Sequence, residues 1–368
     1  MRAIYTMKLH LIFIGNKFVY NSSLRDYVLR KIEQKTDFID SVTYLKEGDN
    51  SMFLYLEEEL NSYDNIIVIT TKQNFSTIGK LICTATSDNQ ILQDGMLLPQ
   101  KCTVFTDRSY LLEYKNSITN VLQIDEAQEM PEILLENQNS KATIHVFEES
   151  RETIIAILSP IAQTNEVSIN VVQEVEGWIQ VNISSNKYGE ISNFIHSAKQ
   201  LLPNQLIAAS DIMQHIIETL SKAQKKISFA ESCSGGLLSY YFTKNNGASK
   251  ILDGSLVTYS NALKENWLAV DHKALQENGA VSFEVVREMS EGALSVSGSD
   301  YSLSISGIAG DTGGTQDKPV GTVYIGARSK DFNKEERLHF SGDRNYVQHQ
   351  SVLYAIKMLL LIDKEMFF

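Results

Sequence analysis

The sequence predicts an α/β protein of two or three domains, and three observations carry that expectation. Asn65-Ile-Ile-Val-Ile-Thr70 is a continuous apolar run bounded by polar residues, the pattern of a parallel strand covered on both faces. Lys226 to Ala230 and Leu256 to Tyr259 are short strand-like runs, each followed by small hydroxyl residues and then by a helical pattern. With 368 residues, the chain is long enough for each domain to bury its own core.

The elements follow in order. Met1 to Met7 precede the first strand, Leu9 to Ile14, and a helix from about Leu24 to Glu33 comes next. After the strand at Asn65 to Thr70, the stretch Thr71 to Thr77 is expected as a loop; it has neither a glycine-rich turn nor an acidic pair. Glu126 to Ser140 is polar, contains Pro131 and reads as an exposed helix followed by a boundary. A smaller α+β unit is expected from strand Thr143 to Phe147, helix Arg151 to Ala162, a hairpin within Val167 to Ile183 and helix Glu190 to Leu202, with Trp178 in its core. Pro203-Asn204 breaks the pattern. From Ser210 to Lys225, Ile212, Ile216, Ile217 and Leu220 recur at helical spacing and open the last domain. The expected boundaries are residues 1–140, 141–205 and 206–368.

Composition excludes several classes of partner. A formal charge of −12 argues against a general nucleic-acid or anionic-membrane surface, while leaving a local basic pocket open. Cys83, Cys102 and Cys233 are odd in number, widely spaced and without a CxxC pair, so neither a disulfide framework nor a zinc site is suggested. No signal-peptide layout is present, and no apolar run approaches the roughly 20 residues needed to span a bilayer. A soluble protein of the reducing cytoplasm is the expectation.

The last domain holds the informative loops. Lys226 to Ala230 runs into Glu231-Ser-Cys-Ser-Gly-Gly236 before a helix at Leu237 to Phe242. Small residues at a helix N-terminus leave backbone N–H groups for an anion, although the same glycines also suit close helix–strand packing. Ser306-Gly-Ile-Ala-Gly-Asp-Thr-Gly-Gly314 has four glycines in nine residues, which lets the backbone approach a ligand. Lys318-Pro-Val-Gly-Thr322 then opens another strand. Ser341-Gly-Asp-Arg344 precedes the final helix, Val347 to Ile362, and Arg344 can clamp a phosphate or carboxylate or join a salt bridge at the helix start.

Between these loops, Gly247 to Lys264 places Ser249, Tyr259 and Lys264 in one short stretch. Ser260-Asn261 supplies an N-cap, so Lys264 falls in the first helical turn, where the helix dipole and partial burial both disfavour the ammonium form. A lysine so placed can take a proton from a serine, with Tyr259 relaying it or holding the lysine. A Ser, a Tyr and a Lys within 16 residues also occur by chance. The Tyr-x4-Lys spacing differs from the Tyr-x3-Lys pair of short-chain dehydrogenases.

Taken together, Ala230-Glu-Ser-Cys-Ser-Gly-Gly236, Val257-Thr-Tyr-Ser-Asn261 with Lys264, Gly279-Ala-Val-Ser282, Ser306-Gly-Ile-Ala-Gly310, Lys318-Pro-Val-Gly-Thr322 and Ser341-Gly-Asp-Arg344 resemble the C-terminal domain of the CinA family. That domain is also found alone as a nicotinamide-nucleotide amidase. The resemblance implies a three-layer α/β/α amidase domain, preceded by a degenerate molybdopterin-binding-like α/β domain and a small α+β connecting unit. It implies hydrolysis of nicotinamide mononucleotide to nicotinate mononucleotide and ammonia, without a metal or other cofactor, in a cytoplasmic homodimer.

The family's Ser, Tyr and Lys roles would fall on Ser249, Tyr259 and Lys264, with Ser232 or Ser234 as the next candidates for the nucleophile. Substrate contacts would fall on Glu231, Ser232, Ser234, Gly235, Gly236, Asn261, Gly307, Ala309, Gly310 and Arg344. Asp311 stands where the family usually has proline, and an added carboxylate beside a substrate phosphate would be unfavourable unless it points away. The family's metal-binding Gly-Gly-Leu-Gly-Pro-Thr loop corresponds to Thr71 to Thr77, and its Gly-Thr-Glu to Gly15-Asn-Lys17; the acidic ligands are missing. ADP-ribose hydrolysis, known in relatives, is therefore not expected here. A rival expectation is a non-catalytic accessory protein of competence or the damage response, which ammonia release would separate from the amidase.

Overall fold

The computed structural model of the chain describes residues 8–36, 38–126, 128–135, 140–185, 189–310 and 312–368. The expectations for Met1 to Met7 and for Asp311 lie outside them. The chain divides into two compact units, one of residues 1–141, 163–168 and 184–191, the other of residues 142–162, 169–183 and 192–368.

The first unit is built on a six-stranded sheet in the order Ile39–Leu45, Leu9–Ile14, Asn65–Thr70, Ser117–Gln123, Ser109–Tyr114, Cys102–Thr106. The first four strands run parallel, and the last two each pair antiparallel with the strand before them. Leu9–Ile14 and Asn65–Thr70 are buried along their whole length, as their unbroken apolar runs require. Alternate residues serve opposite faces. Ile12, Ile14 and Val68 pack with Leu56, Ile78 and Ile82, while Leu11, Phe13 and Ile67 pack with Phe18, Val28 and Ile32.

Two expectations in this unit are corrected. Thr71 to Thr77 is not a loop: Thr71 is the extended residue before a helix at Lys72–Ala85, whose Phe75, Ile78 and Ile82 face the core at helical spacing. The expected helix within Glu126 to Ser140 does not form among the described residues there. Instead, the Leu134 and Leu135 N–H groups donate to Asn120 Oδ1, at 2.8 and 3.4 Å, and Leu135 enters the core.

Residues 141–205, expected as a connecting domain, fall mostly in one unit with residues 206–368. They form the helices Arg151–Thr164 and Ile191–Leu201 and most of a sheet in the order Val167–Val175, Trp178–Ser185, Ser140–Phe147, Leu206–Ala208. Trp178 ties this segment to the residues that follow it. It stacks on Phe147, donates from Nε1 to His145 Nδ1 at 3.2 Å, and shares one apolar cluster with Ile212, Ile216 and Leu220.

The remaining sheet has the order Leu252–Val257, Ile227–Glu231, Tyr301–Gly307, Thr322–Ser329, Asn333–His339, three parallel strands followed by two antiparallel ones. Phe229, Leu303, Ile305 and Ile325 pack with residues of the helices Ile212–Lys222, Leu237–Thr243 and Arg344–Ile362. On the other face, the Ser302 and Ser304 hydroxyls donate to the Ser290 and Val286 carbonyls of the helix Phe283–Ser297, at 2.8 and 2.6 Å. Small residues thus let that helix lie close, and the sheet becomes the middle of three layers. No helix among the described residues is long and apolar enough to cross a membrane.

Candidate functional site

The edge strand Leu252–Val257 and its parallel neighbour Ile227–Glu231 end side by side. Glu231 pairs with Val257, so the residues that follow, Ser232 and Thr258, emerge together at the carboxyl edge, where open α/β sheets hold their ligands. The Ser232 N–H donates to the Ile305 carbonyl at 2.9 Å and the Thr258 N–H to the Glu231 carbonyl at 2.8 Å, which fixes both turns to the sheet.

Ser260 then N-caps the helix Asn261–Leu268, its hydroxyl accepting from the Leu263 N–H at 3.3 Å. Lys264 points from this helix back under the strand ends and is 1% exposed. Its ammonium donates to Ser232 Oγ at 2.9 Å, to the Thr258 carbonyl at 2.7 Å and to the Tyr259 carbonyl at 3.4 Å. It forms no ion pair among the described residues. Burial pushes its pKa down from 10.5 to about 8. A lysine held this way is neutral in a useful fraction of molecules near neutral pH, and its lone pair then faces a serine hydroxyl.

Ser232 and Lys264 lie on the wall of a cavity of about 280 Å³, lined further by Cys233, Tyr259, Ser306, the 307–310 backbone and Arg344. The Tyr259 hydroxyl has no hydrogen-bond partner among the described residues, and its side chain is 61% exposed. The Cys233 thiol is buried, which pushes its pKa up to about 12 and keeps it protonated. Arg344 opens the helix Arg344–Ile362, where Asp343 caps by accepting from the Tyr346 N–H at 2.8 Å. Its guanidinium has no ion-pair partner among the described residues. It lies so close to Gly310 that a Cβ there would meet Arg344 Nη2 at 2.1 Å. The described lining residues include no carboxylate, in a chain of net charge −12.

The structure brings Lys264, Tyr259, Ser232, Gly307, Ala309, Gly310 and Arg344 together. It does not bring Ser249. That serine is exposed in the short turn Ala248–Lys250, before the strand Leu252–Val257, whereas Lys264 binds beyond the other end of the strand. Six residues of strand separate them, about 20 Å. The lysine meets Ser232 instead.

The Glu231 carboxylate, the Ser234 hydroxyl, Gly235 and Gly236 are also corrected, from ligand contacts to internal structure. Glu231 is fully buried; Oε2 accepts from Ser234 Oγ and the Gly236 and Leu238 N–H groups, and Oε1 from the Ser239 N–H and Ser255 Oγ, all at 2.8–3.0 Å. The anion site expected at this helix N-terminus is filled by the chain's own carboxylate. Gly235 and Gly236, at φ 60° and 100°, turn the backbone around it. Asn261 is exposed at the start of its helix and does not line the cavity.

Sequence reasoning did not single out Gln348, whose Nε2 donates to the Cys233 carbonyl at 2.7 Å. Its only signal was its place four residues after Arg344, one helical turn along the same face.

The site lies inside the part of the chain that comparison with known proteins matches. The crystal structure of the competence/damage inducible protein CihA from Agrobacterium tumefaciens is similar at 30% identity, over 41% of this chain and 93% of that one, with a TM-score of 0.41. Residues 209–362 match the CinA C-terminal domain. A competence-damage inducible protein of Thermoanaerobacter sp. (strain X514) is 30% identical over 292 residues, 75% of this chain and 65% of its own length. A CinA-like protein of Syntrophomonas wolfei is 32% identical over 254 residues, 67% of this chain and 60% of its own length. The chain spans less than two thirds of the length of these curated relatives. Its residues 209–362 are thus similar to the C-terminal domain of the CinA family.

Proposed function

We propose that the chain hydrolyses the carboxamide of a small anionic substrate, nicotinamide mononucleotide, to nicotinate mononucleotide and ammonia. One observation carries this reading: Lys264, buried without a counter-charge among the described residues, meets Ser232 Oγ at 2.9 Å on the wall of a cavity.

Ser232 Oγ attacks the carboxamide carbon while its proton passes to neutral Lys264, and backbone N–H groups stabilise the oxyanion. The carbon–nitrogen bond then breaks. The leaving nitrogen takes the proton back from Lys264 and departs as ammonia. Water next adds to the ester carbon and gives its proton to Lys264. The bond to Ser232 breaks, the hydroxyl regains a proton, and the carboxylate product leaves.

Tyr259, whose hydroxyl has no partner among the described residues, relays the proton or orients the amide. Arg344 supports an anionic group in the cavity, since a guanidinium without an ion-pair partner among the described residues suits a phosphate. The relatives' names state no substrate, so nicotinamide mononucleotide comes from the resemblance and the cavity's charge. A cytoplasmic homodimer in which the first unit is structural belongs to the same reading. Ammonia release from nicotinamide mononucleotide by the purified protein tests it; no release above the rate of a Lys264→Met variant would overturn it.

A further inference from the structure

The loop after Ser232 is held by two clamps of different origin. The Ser232 carbonyl accepts the Gly235 N–H at 3.1 Å, a turn closed by the backbone alone. The next carbonyl, that of Cys233, is held by the side chain of Gln348 at 2.7 Å, from a helix more than a hundred residues later. In a trans peptide the carbonyl and the following N–H point opposite ways. Fixing the Cys233 carbonyl therefore fixes the direction of the Ser234 N–H, which has no acceptor among the described residues. That N–H belongs to the second residue after the serine.

Cys233 is also confined from the other side, because a Cβ on Gly307 would stand 3.1 Å from its sulfur. The peptide is thus set between the glycine loop and Gln348. Gln348 lies one turn from Arg344, so one helix face carries both the cavity's guanidinium and the clamp on the nucleophile loop.

We infer that Gln348 is a positioning residue for acyl transfer at Ser232: it holds the peptide after the serine so that the Ser234 N–H serves as a donor to the developing oxyanion. This deepens the amidase reading and rests on it only for the substrate. The inference separates two roles on one helix. Arg344 acts in ground-state binding and should govern KM; Gln348 acts on charge that develops later and should govern kcat.

The test compares wild type, Gln348→Leu, Gln348→Lys and Arg344→Ala in ammonia release from nicotinamide mononucleotide. Leucine has the volume of the glutamine without a donor, and lysine restores an N–H donor of similar reach. Gln348→Leu should lose ten-fold or more in kcat with KM within about two-fold of wild type, and Gln348→Lys should recover most of the loss. Arg344→Ala should raise KM instead. Acylation of Ser232 by p-nitrophenyl acetate, followed by intact mass, gives a second measurement that does not need the amide substrate. It should be at least five-fold slower in Gln348→Leu. If the wild type releases no ammonia but this acylation difference holds, the amidase reading fails and the role of Gln348 stands. Equal acylation rates, or a Gln348→Leu kcat within two-fold of wild type, would overturn the inference, as would an equal loss in the lysine variant.

Discussion

Lys264 Nζ lies 2.9 Å from Ser232 Oγ although 32 residues separate them in sequence, and Ser249, 15 residues from the lysine, stands at the opposite end of the intervening strand. In parallel sheets, neighbouring strands deliver their following loops to one edge, so proximity along the chain misleads across a strand and adjacency in the sheet does not. Two substitutions separate the serines. Ser232→Ala should reduce ammonia release by a thousand-fold or more while the protein stays folded, because it deletes the nucleophile and adds no bulk. Ser249→Ala, at an exposed turn, should stay within two-fold of wild type. A large loss from Ser249→Ala alone would reverse the assignment.

The charge state of Lys264 sets a pH dependence in both activity and stability. Activity should rise with pH through about 8, as the lysine loses its proton and becomes a base. For stability, a lysine with a lowered folded-state pKa binds fewer protons when folded than when unfolded. The cost is therefore fully present below about pH 8 and is relieved as pH rises from about 8 to 10.5. Its full size is roughly 3 kcal/mol, from the gap between those two values. Lys264→Met removes that cost, but it also strips hydrogen bonds worth about 1–3 kcal/mol in total from the buried Thr258 and Ser232 groups, so its melting temperature near pH 7 should change little. What should disappear is the rise in wild-type stability between pH 8 and 10.5, measured by urea unfolding at several pH values. The same slope in both proteins would show that Lys264 is charged throughout.

Anion recognition rests on Arg344, and Gly310 gives its guanidinium the space it occupies. Loss of a charge-assisted hydrogen bond costs about 1.5–3 kcal/mol, so nicotinamide riboside should be a poorer substrate than the nucleotide by about ten-fold or more. Arg344→Ala should erase that difference. Gly310→Ala places a methyl group 2.1 Å from Arg344 Nη2, and the flexible guanidinium can move aside. It should therefore raise KM for the nucleotide with little loss of stability. Equal kcat/KM for nucleotide and riboside in the wild type would assign Arg344 to structure.

Much of the fold was legible because strands and helices carry their own periodicity. Leu9–Ile14 and Asn65–Thr70 form where their buried apolar runs lie, and Trp178 enters the core. The helix at Lys72–Ala85 is marked in the sequence only by Phe75, Ile78 and Ile82 at helical spacing, behind a polar first turn that reads equally well as a loop. The site's residue types were legible, but their partners were not. Ser-Cys-Ser-Gly-Gly at a helix start reads the same whether its N–H groups await a phosphate or already hold Glu231. Only the placement of the carboxylate, with Gly236, Leu238 and Ser239 around it, decides between the two. Gln348 was invisible for a related reason, since a side-chain bond to a main-chain carbonyl leaves no trace in its acceptor's identity.

The helix that carries Lys264 is seated by one close approach, and this gives the most demanding test of the site. Gly292, in the helix Phe283–Ser297, faces the end of Asn261–Leu268 so closely that a Cβ would stand 2.1 Å from the Leu268 carbonyl oxygen. Unlike Arg344 at Gly310, this neighbour is backbone and cannot swing away. Gly292→Ala must push the two helices apart, and overpacking of this kind costs about 1–3 kcal/mol. A shift of the lysine's helix also lengthens the contact with Ser232, which stays fixed to the sheet through Ile305. The variant should melt lower and also lose ten-fold or more in kcat at temperatures where it remains folded, since misplacement by about 1 Å is enough for such a loss. Ser297→Ala serves as the control on the same helix. It deletes a hydroxyl whose partners among the described residues are the Ala293 carbonyl and Ser299, in the turn just after that helix. It should lower stability without touching kcat. If Gly292→Ala melts lower but keeps wild-type kcat, then the seat of this helix does not set the distance between Lys264 and Ser232.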